Sequence, residues 1–234
     1  MRRRKPSVFA QTEWMTKPYI GKPRTIFDRL GDVYVLLPDI MSRFDEIIAS
    51  GHDAGKESLI CDAEILLSEI DSVSNYITPN LMQDLRSSRL LSSTIAKSHA
   101  FLSASDCFMK VAFCIPKVYI FSMLCRLSPN SSYELQLKDY CHIIIQQSEL
   151  VLGMVDIGRR GYMALGLSTV VISSPDSEQK KRAYKLLKAQ EKTGGIEDYI
   201  GVMIINSIPY GELSAHLWDD VSTDVVPWEE DDKP

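Results

Sequence analysis

An all-α fold, a single multi-helix domain of long antiparallel helices with disordered ends, follows from three features of this 234-residue chain. Apolar residues recur at steps of three and four in at least five segments, and no stretch alternates apolar with polar residues as a half-buried strand does. A hydrophobic content of 45% with 24% charged residues suits one core that needs no disulfide or metal staple. The expected organisation is a basic flexible N-terminal tail over 1–12, a helical domain over 13–212 and an acidic C-terminal tail over 213–234.

The first long helix starts at Thr25, which forms a capping-box pattern with Asp28 three positions on. Its apolar face is Ile26, Phe27, Leu30, Val33, Leu37, Ile40, Met41, Phe44, Ile47 and Ile48, and Pro38 predicts a kink or split. A second helix carries Leu59, Ala63, Leu66, Leu67, Ile70, Val73 and Ile77 and is expected to end before Pro79. The serine-rich stretch 81–104 reads as a loop with one or two short helices. A buried helix over 105–127, kinked near Pro116, follows, and Ser128–Ser132 breaks the chain. A fourth helix spans about Tyr133 to Gly153. Gly158, Gly161 and Gly166 interrupt a fifth, apolar segment that ends at Ser173. Ser174 as N-cap, Pro175 at the first helical position and Asp176 with Glu178 in the first turn open a surface helix, stopped by Gly194 and Gly195. A last helix is expected over Ile196–Ile208.

Charge is polarised along the chain although the net value is only -5. Arg2, Arg3, Arg4 and Lys5 open it, whereas Asp219, Asp220, Asp224, Glu229, Glu230, Asp231 and Asp232 face Lys233 alone at the other end. Both stretches read as solvated tails, so neither sequence-specific nucleic-acid binding nor a metal site is expected from them. Pro6, Gln11, Thr12 and Glu13 stand where a signal peptide needs an apolar core. Cys61, Cys107, Cys114, Cys125 and Cys141 include no CxxC pair, four of them in apolar surroundings, as in an intracellular, cytoplasmic or nuclear protein with reduced thiols. The apolar run Cys107–Leu127 is long enough to span a bilayer, but Lys110, Pro116, Lys117 and Arg126 point to a core helix and no membrane association.

The segment "EWMTKPYIGKPRTIFDRLGDVYVLLPDI", Glu13 to Ile40, resembles the start of the helical regulatory region of fungal binuclear zinc-cluster transcription factors. In that family a Trp, a Pro-aromatic pair and a lysine-rich turn lead into an amphipathic helix ending in Leu-Pro. "HIIIQQSELVLGMVDIGRRGYMALGLSTVVISS" is similar to its late helix pair with a glycine-rich joint, and "RAYKLLKAQEKTGGI" to the surface helix that follows. The resemblance covers most of Trp14 to Ile208 and implies an all-helical sensor scaffold, in some members thought to bind small effectors. Six clustered cysteines that would hold zinc and read DNA are missing.

No GxSxG, HExxH, P-loop or GxGxxG pattern occurs, so hydrolytic, metal and nucleotide chemistry have no obvious carrier and no cofactor is expected. Two readings remain. In the first, an apolar cavity among the helices at 105–127, 133–153 and 160–173 holds a hydrophobic small molecule, with Tyr119, Met123, His142 and Tyr162 as ligand-binding residues. Such a cavity could run a cofactor-independent cyclisation or isomerisation of the pericyclase type in secondary metabolism by holding one reactive conformer; catalytic residues are unknown. In the second, the chain is a non-enzymatic transcriptional regulator acting through protein partners, with "DVVPWEEDD" as a contact segment. Each candidate residue also has a plain structural role: His142 satisfied by a carbonyl, Tyr119, Tyr162 and Met123 as core. The oligomeric state is left open.

Overall fold

The capping box at Thr25 forms as its spacing requires: the Asp28 backbone N–H donates to the Thr25 hydroxyl at 3.2 Å, and the Asp28 carboxylate accepts from the Thr25 backbone N–H at 2.7 Å. It opens a helix that runs from Ile26 to Ser50 and closes on Gly51 in the left-handed conformation at φ 64°. A computed structural model describes residues 7–87, 95–152 and 160–194, and within them every regular element is helical. The helices are α1 (Thr12–Thr16), α2 (Ile26–Ser50), α3 (Lys56–Ser87), α4 (Ile95–Leu127), α5 (Ser131–Leu152), α6 (Arg160–Ser173) and α7 (Ser177–Gly194), with short 3-10 turns at Val8–Ala10 and Lys17–Tyr19. The fold is all-α. The expected helix over 196–208 and the acidic tail lie outside the described residues, as does Arg2–Lys5.

Three boundaries differ from expectation, each for a local reason. Helix α3 passes through Pro79 to Ser87, because a proline deletes one backbone hydrogen bond without forbidding the helix on either side. The serine-rich stretch 81–104 contains no glycine or proline, so helix continues into it from both sides, as far as Ser87 and again from Ile95. At α7 the cap is Asp176 rather than Ser174. Its carboxylate accepts from the backbone N–H groups of Glu178 (2.8 Å) and Gln179 (3.3 Å), while the Ser174 hydroxyl accepts from the Asp176 N–H at 3.1 Å and so sets the turn before the cap. Val8–Ala10, expected in the N-terminal tail, folds as a 3-10 turn against α2.

Helix α4 is the axis of the molecule: α2, α3, α5 and α6 all pack on it, and α7 covers α5 and α6 from outside. From Val111 to Phe121 only Tyr119 is not fully buried, so α4 is apolar all round rather than along one stripe. The 22-residue stretch Asp106–Leu127 is long and apolar enough to cross a membrane, but 78% of it is buried among its neighbours, as a core helix is. Pro116 lies inside this helix and cannot donate to the Ala112 carbonyl one turn earlier. The structure supplies another donor: the Tyr34 hydroxyl of α2 reaches that carbonyl at 2.8 Å. A proline that would leave a buried acceptor unmet thus fastens α2 to α4.

Candidate functional site

The three apolar segments around the expected cavity do pack centrally, and they pack closely. A Cβ built on Gly166 of α6 would lie 2.6 Å from Val111 Cγ1 and 3.1 Å from Ile144 Cγ2, so α4, α5 and α6 meet there with no room for a methyl group. The same helix carries hydroxyls into the interior without stranding them. Ser168 donates to the Ala164 carbonyl at 2.7 Å and Thr169 to the Leu165 carbonyl at 2.9 Å, each one turn back along its own helix.

The described residues among those assigned to the cavity wall, Tyr119, Met123 and His142, differ in their surroundings. Met123 is 1% exposed and belongs to the core. Tyr119 is half-buried, its hydroxyl 3.4 Å from that of Thr169, a long contact between α4 and α6. His142 faces solvent on α5, which corrects its expected place at an interior wall: Cys141 beside it is buried, as are Ile144 and Ile145, and the helical turn carries residue 142 to the outer face. Tyr162 falls in the first turn of α6, and its side chain lies outside the described residues.

The most polar feature of the interior centres on Lys117, which the sequence offered only as an argument against a membrane helix. Its ammonium is buried, pairs with Asp71 of α3 and donates to the Tyr140 hydroxyl of α5 at 3.3 Å. Burial works against this charge, but the Asp71 carboxylate and the Tyr140 hydroxyl outweigh it and raise the Lys117 pKa above its ordinary value. Tyr140 is stacked in turn on Phe121, with ring centroids 5.6 Å apart. The cluster joins three helices, with the Lys117 ammonium buried and the Asp71 carboxylate more than half exposed, so it reads as a fastening between helices. Burial pushes the Cys114 and Cys141 thiols up to about 12, which keeps them protonated and unreactive. Among the described residues no group of three or more His, Cys, Asp or Glu side chains is placed to hold a metal ion.

Two grooves lined by described residues lie at the surface. One groove of about 650 Å³ runs beside the start of α3, lined by Asp53, Lys56, Glu57, Ile60, Leu127 and Pro129 among others. A second, of about 370 Å³, is formed by the N-terminal segment against α2 and is lined by Phe9, Trp14, Met15, Pro18, Tyr19, Asp28, Gly31, Asp32 and Val35. Its walls are built by identifiable contacts. Phe9 and Trp14 meet edge to face at 5.5 Å, the Tyr19 hydroxyl donates to Asp28 at 3.2 Å, and Arg24 donates to the Met15 carbonyl at 2.6 Å while pairing with Asp32 at 2.7 Å. The Arg24 guanidinium also lies over the Tyr19 ring at 4.5 Å.

No family model, curated protein or solved structure matches the chain.

The two acids of this second groove are set apart by their surroundings. The Thr25 hydroxyl and backbone N–H hold Asp28 below the usual carboxylate range, whereas burial raises Asp32 in spite of Arg24. Apolar side chains of the same segment remain uncovered: Phe9 and Trp14 in the groove lining are 55% and 53% exposed, and Ile20, next to Tyr19 in the chain, is 77% exposed. Reading Phe9 as part of a mobile tail concealed this groove. The signal present in the sequence was the aromatic density from Phe9 to Tyr19, which is more than a solvated leader needs.

Proposed function

We propose that the chain is a non-enzymatic helical scaffold that acts by binding a protein partner, and that the groove between the N-terminal segment and α2 is its contact site. The observation that supports this reading is the trio of large apolar side chains, Phe9, Trp14 and Ile20, left more than half exposed on a segment fastened by ion pairs and hydrogen bonds. Exposed aromatics beside buried or half-buried polar groups are the composition of binding hot spots. The two carboxylates set against one guanidinium favour an apolar partner segment that carries a positive charge. The proposal keeps the likeness to the helical region of fungal zinc-cluster regulators, which rests on the Trp14, Pro18–Tyr19 and Leu37–Pro38 pattern leading into and through α2, and with it an intracellular setting.

One observation favours a second reading, in which the ligand is a hydrophobic metabolite and the groove at Trp14 replaces the central cavity. Its volume of about 370 Å³ falls inside the range of small-molecule sites, and its lining is aromatic. Cofactor-free cyclisation or isomerisation would then take place against Trp14 and Tyr19. A thermal-shift screen with lipophilic metabolites, run beside affinity capture of protein partners on wild type and Trp14→Ala, separates the two. Under the partner reading, capture falls about tenfold or more in Trp14→Ala, the loss of a hot-spot aromatic, while no metabolite raises the melting temperature. A metabolite that stabilises wild type and not Trp14→Ala would reverse the choice.

A further inference from the structure

Helix α7 has two unlike sides. Ala183, Leu187 and Gln190 are buried against the rest of the fold, with Tyr184 and Leu186 half-buried beside them. Lys181, Lys185 and Lys188 are exposed at steps of four and three, so they form one stripe along the outer face. Lys192 continues the same spacing in the sequence. Arg182, on the flank of the stripe, is held by a forked pair to Glu149 of α5, with both N···O distances 2.7 Å, which orients the helix about its axis. Lys181 lies 3.9 Å from Glu178 and Lys188 lies over the Tyr184 ring at 5.7 Å. With three exposed lysines against Glu178, the stripe is net positive.

The chain itself carries the complement. Asp219, Asp220, Asp224, Glu229, Glu230, Asp231 and Asp232 stand against Lys233 alone, and Trp218, Val225, Val226 and Trp228 are interspersed with them. We infer that this acidic segment, 219–232, docks on the basic outer face of α7 in the same molecule. Charge complementarity and chain length together select this occupant. Gly194, the last residue of α7, and Asp219 are separated in sequence by a linker that reaches about 55 Å even with the expected helix over 196–208 kept, whereas α7 is about 27 Å long, so the linker is long enough for the segment to fold back. Tethering at that length keeps the local concentration near the millimolar range, well above that of another copy in dilute solution. Because salt screens unlike charges beyond about 8 Å at physiological ionic strength, attraction of this kind implies close apposition and weakens as salt is added. The segment therefore covers α7 and competes there with any external polyanion.

The test is the rate of lysine acetylation, followed by mass spectrometry on the full chain. A variant with the seven tail carboxylates neutralised (Asp→Asn, Glu→Gln) is compared with wild type at low salt and at ~0.5 M sodium chloride. At low salt, Lys181, Lys185 and Lys188 are expected to react at least about threefold faster in the neutralised variant, and Lys22, remote from α7 in the sequence, to be unchanged. In high salt the difference should disappear. Equal rates at α7 in both proteins, or a change at Lys22 as large as that at α7, would overturn the proposal. Zero-length carbodiimide cross-linking of an equal mixture of light and isotopically heavy chains decides the source of the segment: links from α7 to 219–232 within one isotope class support docking in the same molecule, and mixed links in statistical proportion overturn it in favour of a second copy.

Discussion

The interface of α4, α5 and α6 and the groove of the N-terminal segment are both rich in apolar and aromatic residues, yet one is closed and the other open. At the centre, small and large side chains interdigitate until Gly166 has no space for a methyl, and Ser168, Thr169 and Lys117 are met by carbonyls, by Asp71 and by Tyr140. At the N-terminal edge a short chain of turns lies against one helix, too little backbone to cover its own Phe9, Trp14 and Ile20. Apolar density in a sequence therefore marks where a core forms. Open binding surface appears where too few elements converge to cover what they carry.

Filling the closed region is the strongest way to break this contrast. Gly166→Leu is expected to destabilise the fold by about 3 kcal/mol, because Val111 is stiff at χ1 and cannot turn aside, in spite of the better helix propensity of Leu. Urea unfolding measures it; a neutral or stabilised variant would reveal space at the centre and revive an internal cavity. Next in size is Tyr34→Phe, which leaves the Ala112 carbonyl freed by Pro116 without its donor and should cost about 2 kcal/mol by the same measurement.

The interior should also show itself in pH. Lys117 is raised, so the stability it contributes is fully present below its unfolded value of about 10.4 and is lost as pH rises through the higher folded value. Cys114 and Cys141, pushed up to about 12, act in the same direction: they stay protonated in the fold, while unfolded thiols ionise above about 8.5. The melting temperature should therefore fall between pH 8.5 and 11, and Cys114→Ala with Cys141→Ala should flatten the decline. A flat profile for wild type over that interval would contradict the burial of these groups.

At the open edge the expectation is the reverse. Trp14→Ala should change stability by less than about 1 kcal/mol, since half the ring already faces water, while weakening partner capture about tenfold. Smallest of all, His142→Ala on the outer face of α5 should stay within about 0.5 kcal/mol of wild type and leave any ligand response unchanged. A larger loss would return His142 to the list of working residues.

Much of the helical layout was legible because helix signals are local. The Thr25–Asp28 capping box, the face from Leu30 to Phe44, the break at Ser128–Asn130 and the start of α7 within three residues of Ser174 all depend on neighbours a turn apart. Where local signals were weak the reading slipped. Serines between 81 and 104 suggested a loop, although nothing there forbids helix, and Pro79 suggested an end although it removes only one hydrogen bond. The site was harder, since His142 and Ile144 look alike in an apolar run and differ only in the face to which the helix turns them.

By itself, then, the sequence determined the helical class, the central place of the 105–127 segment and the opposite charges of α7 and the acidic tail, because periodicity, hydropathy and charge are written residue by residue. Only the tertiary structure decided that Tyr34 replaces the donor Pro116 lacks, that Lys117 finds Asp71, that Gly166 closes the centre and that Phe9, Trp14 and Ile20 stay uncovered. Each of these joins or separates residues distant in the chain, and such pairings are set by how whole helices pack.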